Sequence, residues 1–125
     1  MHASGVTASV LIVDDHPAVR EGIRAMLEDV PGLRPTAAAS SGREALRLAR
    51  ELRPDVVVLD FKLPDMDGLS VCLRLKERHA GAAVALYSAF ADSELAVLGV
   101  IAGADALVRK DADPDLLAEA VGGLA

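Results

Sequence analysis

A chain of 125 residues makes one domain with room for a full core, and 52% hydrophobic residues exclude a disordered one. Thirteen basic against nineteen acidic residues leave a net charge of −6, which excludes nucleic-acid binding by this segment alone, because a phosphate backbone demands basic surface. Cys72 is the single cysteine, so no intrachain disulfide and no cysteine-based zinc site can form. Met1 to Ala8 lacks the apolar centre of a secretory leader and reads as a tail, and no apolar run reaches ~18 residues. The expectation is a cytoplasmic domain over residues 9–123 that meets no membrane.

Val10 to Val13 reads as a buried strand ending on Asp14 and Asp15. Pro17 suits the first turn of a helix, and Val19, Ile23, Met26, Leu27 and Val30 recur at helical spacing until Pro31-Gly32. Arg34 to Ala39 is a weak, alanine-rich strand, placed by its position between two helices. Ser40 or Ser41 caps the next helix, with Glu44 three residues after Ser41 as in a capping box. Ala45, Leu48, Ala49 and Leu52 are expected inside. Arg43, Arg47, Arg50 and Arg53 are expected outside, as a solvated face rather than an anion site. Val56 to Leu59 is a fully apolar, mostly β-branched strand of the kind buried on both faces in parallel sheets. It ends on Asp60, and Pro64 and Gly68 then force a turn. A helix starting at or near Asp67 puts Leu69, Cys72 and Leu73 inward, with Cys72 as core filler and His79 at the helix end.

Ala82 to Tyr87 is the fourth strand, closing on Ser88. The helix between Glu94 and Asp105 carries no charge, with Leu95, Val97, Leu98, Val100 and Ile101 apolar nearly all round. It is either a partner face or simply small exposed apolar residues. Ala106 to Val108 is the fifth strand, followed by Lys110, and Asp113-Pro114 opens a last helix with Leu117, Ala120, Val121 and Leu124 inward. Strand and helix alternate five times, which predicts a five-stranded, parallel, doubly wound α/β sheet.

In such a sheet every strand carboxyl end lies on one edge. Asp14, Asp15, Asp60, Ser88 and Lys110 all stand there. Two unit charges ~4 Å apart interact by ~4 kcal/mol at an effective dielectric near ~20, so three carboxylates against one lysine repel one another strongly. A divalent cation with oxygen ligands relieves this, and the chemistry selects Mg2+. Asp60 is then the natural acceptor for a phosphoryl group. Lys110 and the Ser88 hydroxyl would hold its oxygens, and the small Ala89 would leave the site open.

The segments Asp14-Asp15-His16-Pro17, Asp60 through Gly68, Tyr87-Ser88-Ala89, Gly103-Ala104-Asp105 and Arg109-Lys110 resemble the receiver domain of bacterial two-component response regulators. The run from Asp14 through Gly22 is most similar to the NarL/FixJ (LuxR-type) group. The resemblance implies a flavodoxin-like (βα)5 fold and phosphorylation of Asp60 by a sensor histidine kinase. It implies direct Mg2+ ligation by Asp15, Asp60 and the Lys62 carbonyl, with Asp14 acting through water. It also implies a possible homodimer on phosphorylation, and a helix-turn-helix domain after residue 125 through which DNA would be met. The absence of that domain here is read as truncation, ahead of a single-domain regulator. Leu107 departs from the pattern, standing where the family usually carries tyrosine or phenylalanine. A backbone movement of residues 88–92, with Phe90, would then have to carry the switch. Asp111 stands where many receivers have proline.

Two rivals are weaker. A haloacid-dehalogenase-type phosphatase also uses a strand-end aspartate, but places a second one where this chain has Lys62. A receiver working as an interaction module without phosphorylation would have no need of the intact set of five site residues.

Overall fold

The computed structural model describes residues 7–89 and 93–125, so Phe90 and the rest of the loop before the fourth helix lie outside the described residues. In chain order the elements are β1 (Ala8–Val13), α1 (Pro17–Glu28), β2 (Leu33–Ala39), α2 (Gly42–Leu52), β3 (Val56–Asp60), α3 (Gly68–Arg78), β4 (Ala83–Ser88), α4 (Ser93–Ala102), β5 (Ala106–Arg109) and α5 (Pro114–Leu124). The five strands form one parallel sheet in the order β2-β1-β3-β4-β5. The expected doubly wound α/β fold is therefore present. The chain turns back on itself between β1 and β3, the switch point at which such sheets open a crevice beyond their carboxyl ends.

Alternation along each strand feeds two separate cores. Leu11, Val13, Val57, Leu59, Val84 and Leu86 face α2, α3 and the end of α4 through Ala45, Ala49, Val71, Cys72, Leu75 and Ala102. Val10, Ile12, Val56, Val58 and Val108 face α1 and α5 through Ile23, Leu27, Leu117 and Val121. All five residues of β3 are buried, which is what its apolar, β-branched run requires. The alanine-rich β2 is an edge strand, where Pro35 interrupts no ladder on its outer side. The β1–β2 register slips beside it, between Val10 and Leu11.

Local signals set most element ends. Pro17 occupies the first turn of α1, and Ser41 Oγ accepts the Glu44 N–H at 3.1 Å to cap α2. The Glu44 carboxylate reaches Ser40 N rather than the cap residue's own N–H, at 2.7 Å, so the expected capping box closes one residue early. Asp67 and Asp113 cap α3 and α5. Arg53, in the left-handed region at φ 47°, ends α2 before Pro54.

Two expected core residues are exposed. Leu52 stands on the last turn of α2, beside that left-handed Arg53, and Leu73 lies a third of a turn off the buried α3 stripe of Val71, Cys72 and Leu75. Cys72 is buried as expected, and burial pushes its thiol up to about 11. On α4 only Gly99 and Ala102 are buried among the residues whose side chains are described, while Val100 and Ile101 are 75% and 72% exposed. The side chain of Leu95 lies outside the described residues.

Two glycines make opposite predictions. A Cβ on Gly68 would lie 2.4 Å from Asp60 O and 2.7 Å from Phe61 Cα, both backbone atoms, whereas one on Gly22, inside α1, would meet nothing within 4 Å. Urea unfolding should show Gly68→Ala destabilised by about 1–3 kcal/mol and Gly22→Ala stabilised by about 0.5–1 kcal/mol.

Candidate functional site

Asp14 follows the last residue of β1 and turns inward, only 1% exposed. Its backbone N–H donates to Ala39 O at 3.1 Å, and its carbonyl accepts Arg20 Nη1 at 2.8 Å. The His16 backbone N–H donates to Asp14 Oδ1 at 2.8 Å. These contacts leave Oδ2 facing the neighbouring strand end. Asp60 closes β3, 4% exposed, and its Oδ1 accepts the Lys62 N–H at a long 3.4 Å. From beyond β5, Lys110 donates its backbone N–H to Ser88 O at 2.8 Å. Its Nζ then reaches Asp14 Oδ2 at 2.9 Å and Asp60 Oδ2 at 3.1 Å. The ammonium crosses the end of β4 to do this, 5.5 Å from the centre of the Tyr87 ring.

Burial raises the Asp60 carboxyl above its ordinary range, further helped by the Asp14 charge and opposed by the hydrogen bond and attraction of Lys110. Burial alone would lower Lys110, but its hydrogen bonds to Asp14 and Asp60 prevail and hold it above the usual lysine value. Asp15 is exposed at the rim, where its Oδ1 lies 2.9 Å from His16 Nδ1. One ligand atom from each of Asp14, Asp15, His16 and Asp60 falls within 4.8 Å of the others. This is an oxygen-rich set around an acidic pocket that could hold a metal ion. The donors fit a hard divalent cation.

The structure thus brings Asp14, Asp15, Asp60 and Lys110 together as the sequence predicts. Ser88 is buried at the end of β4, beside Lys110, and Ala89 is exposed next to it. Lys62 is exposed and contributes its N–H. Leu107 is half-buried in β5, paired with Leu86 and packed against the core on the α2–α3 side.

Three groups escaped the sequence reading. His16 and Arg20 both hold the Asp14 segment; both stand in the run that carries the family resemblance, but the residues alone gave neither of them a role. Asp65 ties the loop after Asp60 to α2, its carboxylate accepting the N–H groups of Gly42 at 2.8 Å and Arg43 at 2.9 Å. Those bonds, that from Arg43 first, hold Asp65 below its ordinary pKa, the expected effect of a carboxylate at a helix N-terminus. Nothing in the local sequence pairs residue 65 with a helix more than twenty residues away. Behind the site, the Asp105 carboxylate ties the start of β5 to α3, accepting Lys76 Nζ at 2.6 Å, and to β4, accepting the Val84 N–H at 2.8 Å.

Residues 10–122 match the family described as the response regulator receiver domain. The chain belongs to that family. This receiver is 32% identical over 114 residues to the nitrate/nitrite response regulator NarL of Escherichia coli K12, which covers 91% of this chain and 53% of the relative. A LuxR-family two-component response regulator from Aurantimonas sp. SI85-9A1 superposes with a TM-score of 0.90 at 36% identity, over 94% of this chain and 84% of that one. The CheX–CheY complex with BeF3 and Mg2+ from Borrelia burgdorferi superposes with a TM-score of 0.89 at 25% identity, over 99% of this chain and 93% of that one. The receiver is of the NarL/LuxR type, a phosphorylation switch of two-component regulators, a family phosphorylated by histidine kinases. It spans about half the length of the curated relatives it matches. Among the described residues no helix is long and apolar enough to cross a membrane.

The buried charges predict stability changes of opposite sign. Because the native Asp60 carboxyl keeps its proton at pH values where the unfolded one has released it, this group's contribution to stability falls as pH rises through its raised pKa. In metal-free buffer at neutral pH, Asp60→Asn should therefore melt at or above the parent, and the gap should close below the ordinary carboxylate range. Lys110→Met removes the partner of two buried carboxylates and should cost about 3 kcal/mol. Thermal melts of both variants against pH check the pair.

Proposed function

We propose that Asp60 is the phosphoryl acceptor of this receiver. The observation that carries the reading is Lys110 Nζ, held between the two buried carboxylates at 2.9 and 3.1 Å. In the phosphotransfer a carboxylate oxygen of Asp60 forms a bond to phosphorus as the phosphorus–nitrogen bond of a kinase phosphohistidine breaks. The electron pair stays on the imidazole nitrogen, which takes up a proton. In the return step a water oxygen bonds to phosphorus, the aspartyl oxygen–phosphorus bond breaks and the carboxylate is restored. Self-promoted transfer and hydrolysis are then the only chemistry of the domain.

The acceptor role uses the raised energy of ionised Asp60. A buried carboxylate that repels Asp14 gains by passing its charge outward onto phosphoryl oxygens. Lys110 is placed to follow that charge, and the Ser88 hydroxyl, one strand away, takes another oxygen. Asp14, Asp15, Asp60 and the Lys62 carbonyl would hold Mg2+, which when bound neutralises charge on the phosphoryl oxygens. That Mg2+ and BeF3 accompany the structurally similar CheY complex supports this assignment. The length of the curated relatives supports a further domain, and the NarL/LuxR likeness a DNA-binding one. A cytoplasmic location, a sensor kinase as donor and a homodimer on phosphorylation complete the reading.

Intact-mass analysis after incubation with acetyl phosphate and Mg2+ tests the acceptor. The parent should gain one phosphoryl group and Asp60→Asn none; equal labelling of both would remove Asp60 from the role. The switch has its own test. Leu107 has no hydroxyl to trade between core and surface, so it offers one differential contact fewer to the two states. Amide shift changes over residues 88–110 on adding beryllofluoride should be smaller in the parent than in Leu107→Tyr.

A further inference from the structure

We propose that the groove between α2 and α3 binds a compact polyphosphate anion. Three of the four arginines in the α2 row, Arg43, Arg47 and Arg50, line it with Leu46, and Arg78 and His79 close it from the end of α3. The cavity measures about 530 Å³, an ordinary size for a small-molecule site. The α2 row by itself reads as a solvated face, but the fold sets the cations of a second helix opposite it. Among the described residues no carboxylate stands in the lining. The groove shares no residue with the acidic edge of the sheet, and it lies on a chain of net charge −6.

Elsewhere Arg24, Lys76, Arg109 and Lys110 are each spent on a carboxylate. In the groove only Arg47 is paired, with Glu44 at 3.9 Å and Glu51 at 3.4 Å. The guanidinium groups of Arg43, Arg50 and Arg78 make no ion pair with the described residues. Asp65 attracts Arg43, but its two oxygens are taken by the N–H groups of Gly42 and Arg43. The helix dipole favours cations in a last turn, which accounts for Arg50 and Arg78. It does not account for Arg43, the second residue of α2, where the same dipole disfavours a cation. Arg43, Arg50 and Arg78 thus face one cavity without a counter-charge, and an anion would relieve their mutual repulsion.

The lining selects the class of anion. A guanidinium is a planar fork that meets phosphate oxygens in pairs, and several forks around one cavity suit an anion carrying several phosphates. An acidic helix would need apolar anchors beside its charges, and Leu46 is the single apolar residue of the lining. Duplex nucleic acid would meet the repulsion of the whole acidic domain. No aromatic ring lines the cavity to stack on a base. The ligand is therefore a short phosphate chain held by its oxygens, either inorganic or the tail of a nucleotide.

The test is calorimetric titration with sodium tripolyphosphate in metal-free, low-salt buffer. It compares the parent, Arg50→Gln/Arg78→Gln and a charge-matched control, Arg34→Gln/Arg109→Gln. All four arginines are exposed, so both variants should keep the fold, which circular dichroism verifies. The groove variant should bind about tenfold more weakly than the parent or worse, and the control should stay within about twofold. Amide shift changes on binding should map to α2 and the end of α3. Metal-free ATP separates the two sources: affinity near that of tripolyphosphate supports a nucleotide tail, and much weaker affinity supports an inorganic chain. ATP bound far more tightly would overturn recognition by the phosphate chain alone. A glutamate peptide of equal charge that binds as well would overturn the proposal in favour of an acidic protein segment. No binding by the parent, equal weakening in both variants, or shifts confined to the strand ends around Lys110 would each overturn it.

Discussion

One ammonium group holds the functional edge together. Lys110 Nζ lies between Asp14 and Asp60, both almost fully buried, at hydrogen-bonding distance from each. Charge at this depth costs several kcal/mol per ion to desolvate, and a single partner shared between two carboxylates leaves part of that cost uncompensated. The raised Asp60 carboxyl is the local expression of that deficit. The site is thus under-neutralised by construction, and anything that brings positive charge to Asp60, or lets its negative charge spread outward, is favoured.

The sheet makes this possible. Four parallel strands, β1, β3, β4 and β5, end along one edge, so residues far apart in sequence meet without a long loop, and two aliphatic cores on either side of the sheet keep those ends fixed. The β3–α3 loop is fastened in turn. Gly68 N–H donates to Phe61 O at 2.6 Å, and a side chain at Gly68 would collide with that backbone. Asp65 binds the same loop to the start of α2. A change at Asp60 is therefore mechanically connected to α2 as well as to β4 and β5.

Much of this was legible in the sequence. The runs at Val10–Val13 and Val56–Leu59 are too apolar to be anything but buried strands, and each ends on a carboxylate, so fold and site emerge from the same pattern. Helix starts were legible where a proline or a cap residue marks them, at Pro17, Ser41, Asp67 and Pro114. What escaped depends on three-dimensional placement. Leu52 and Leu73 look like core residues because they are leucine, yet one sits on a last turn and the other off the buried stripe. Asp65 and the Lys76–Asp105 pair join segments 22 or more residues apart through single polar contacts, and a hydrophobic pattern carries no trace of such contacts.

The most direct test of an under-neutralised site is the Mg2+ dependence of the melting temperature. Binding to the native state alone stabilises by ~2.7 kcal/mol at a hundredfold excess over the dissociation constant. The parent should melt at progressively higher temperature as Mg2+ is added, while Asp15→Ala, which keeps the buried pair and Lys110 but loses the rim carboxylate, should hardly respond. An equal rise in both proteins, or none in either, would contradict the account.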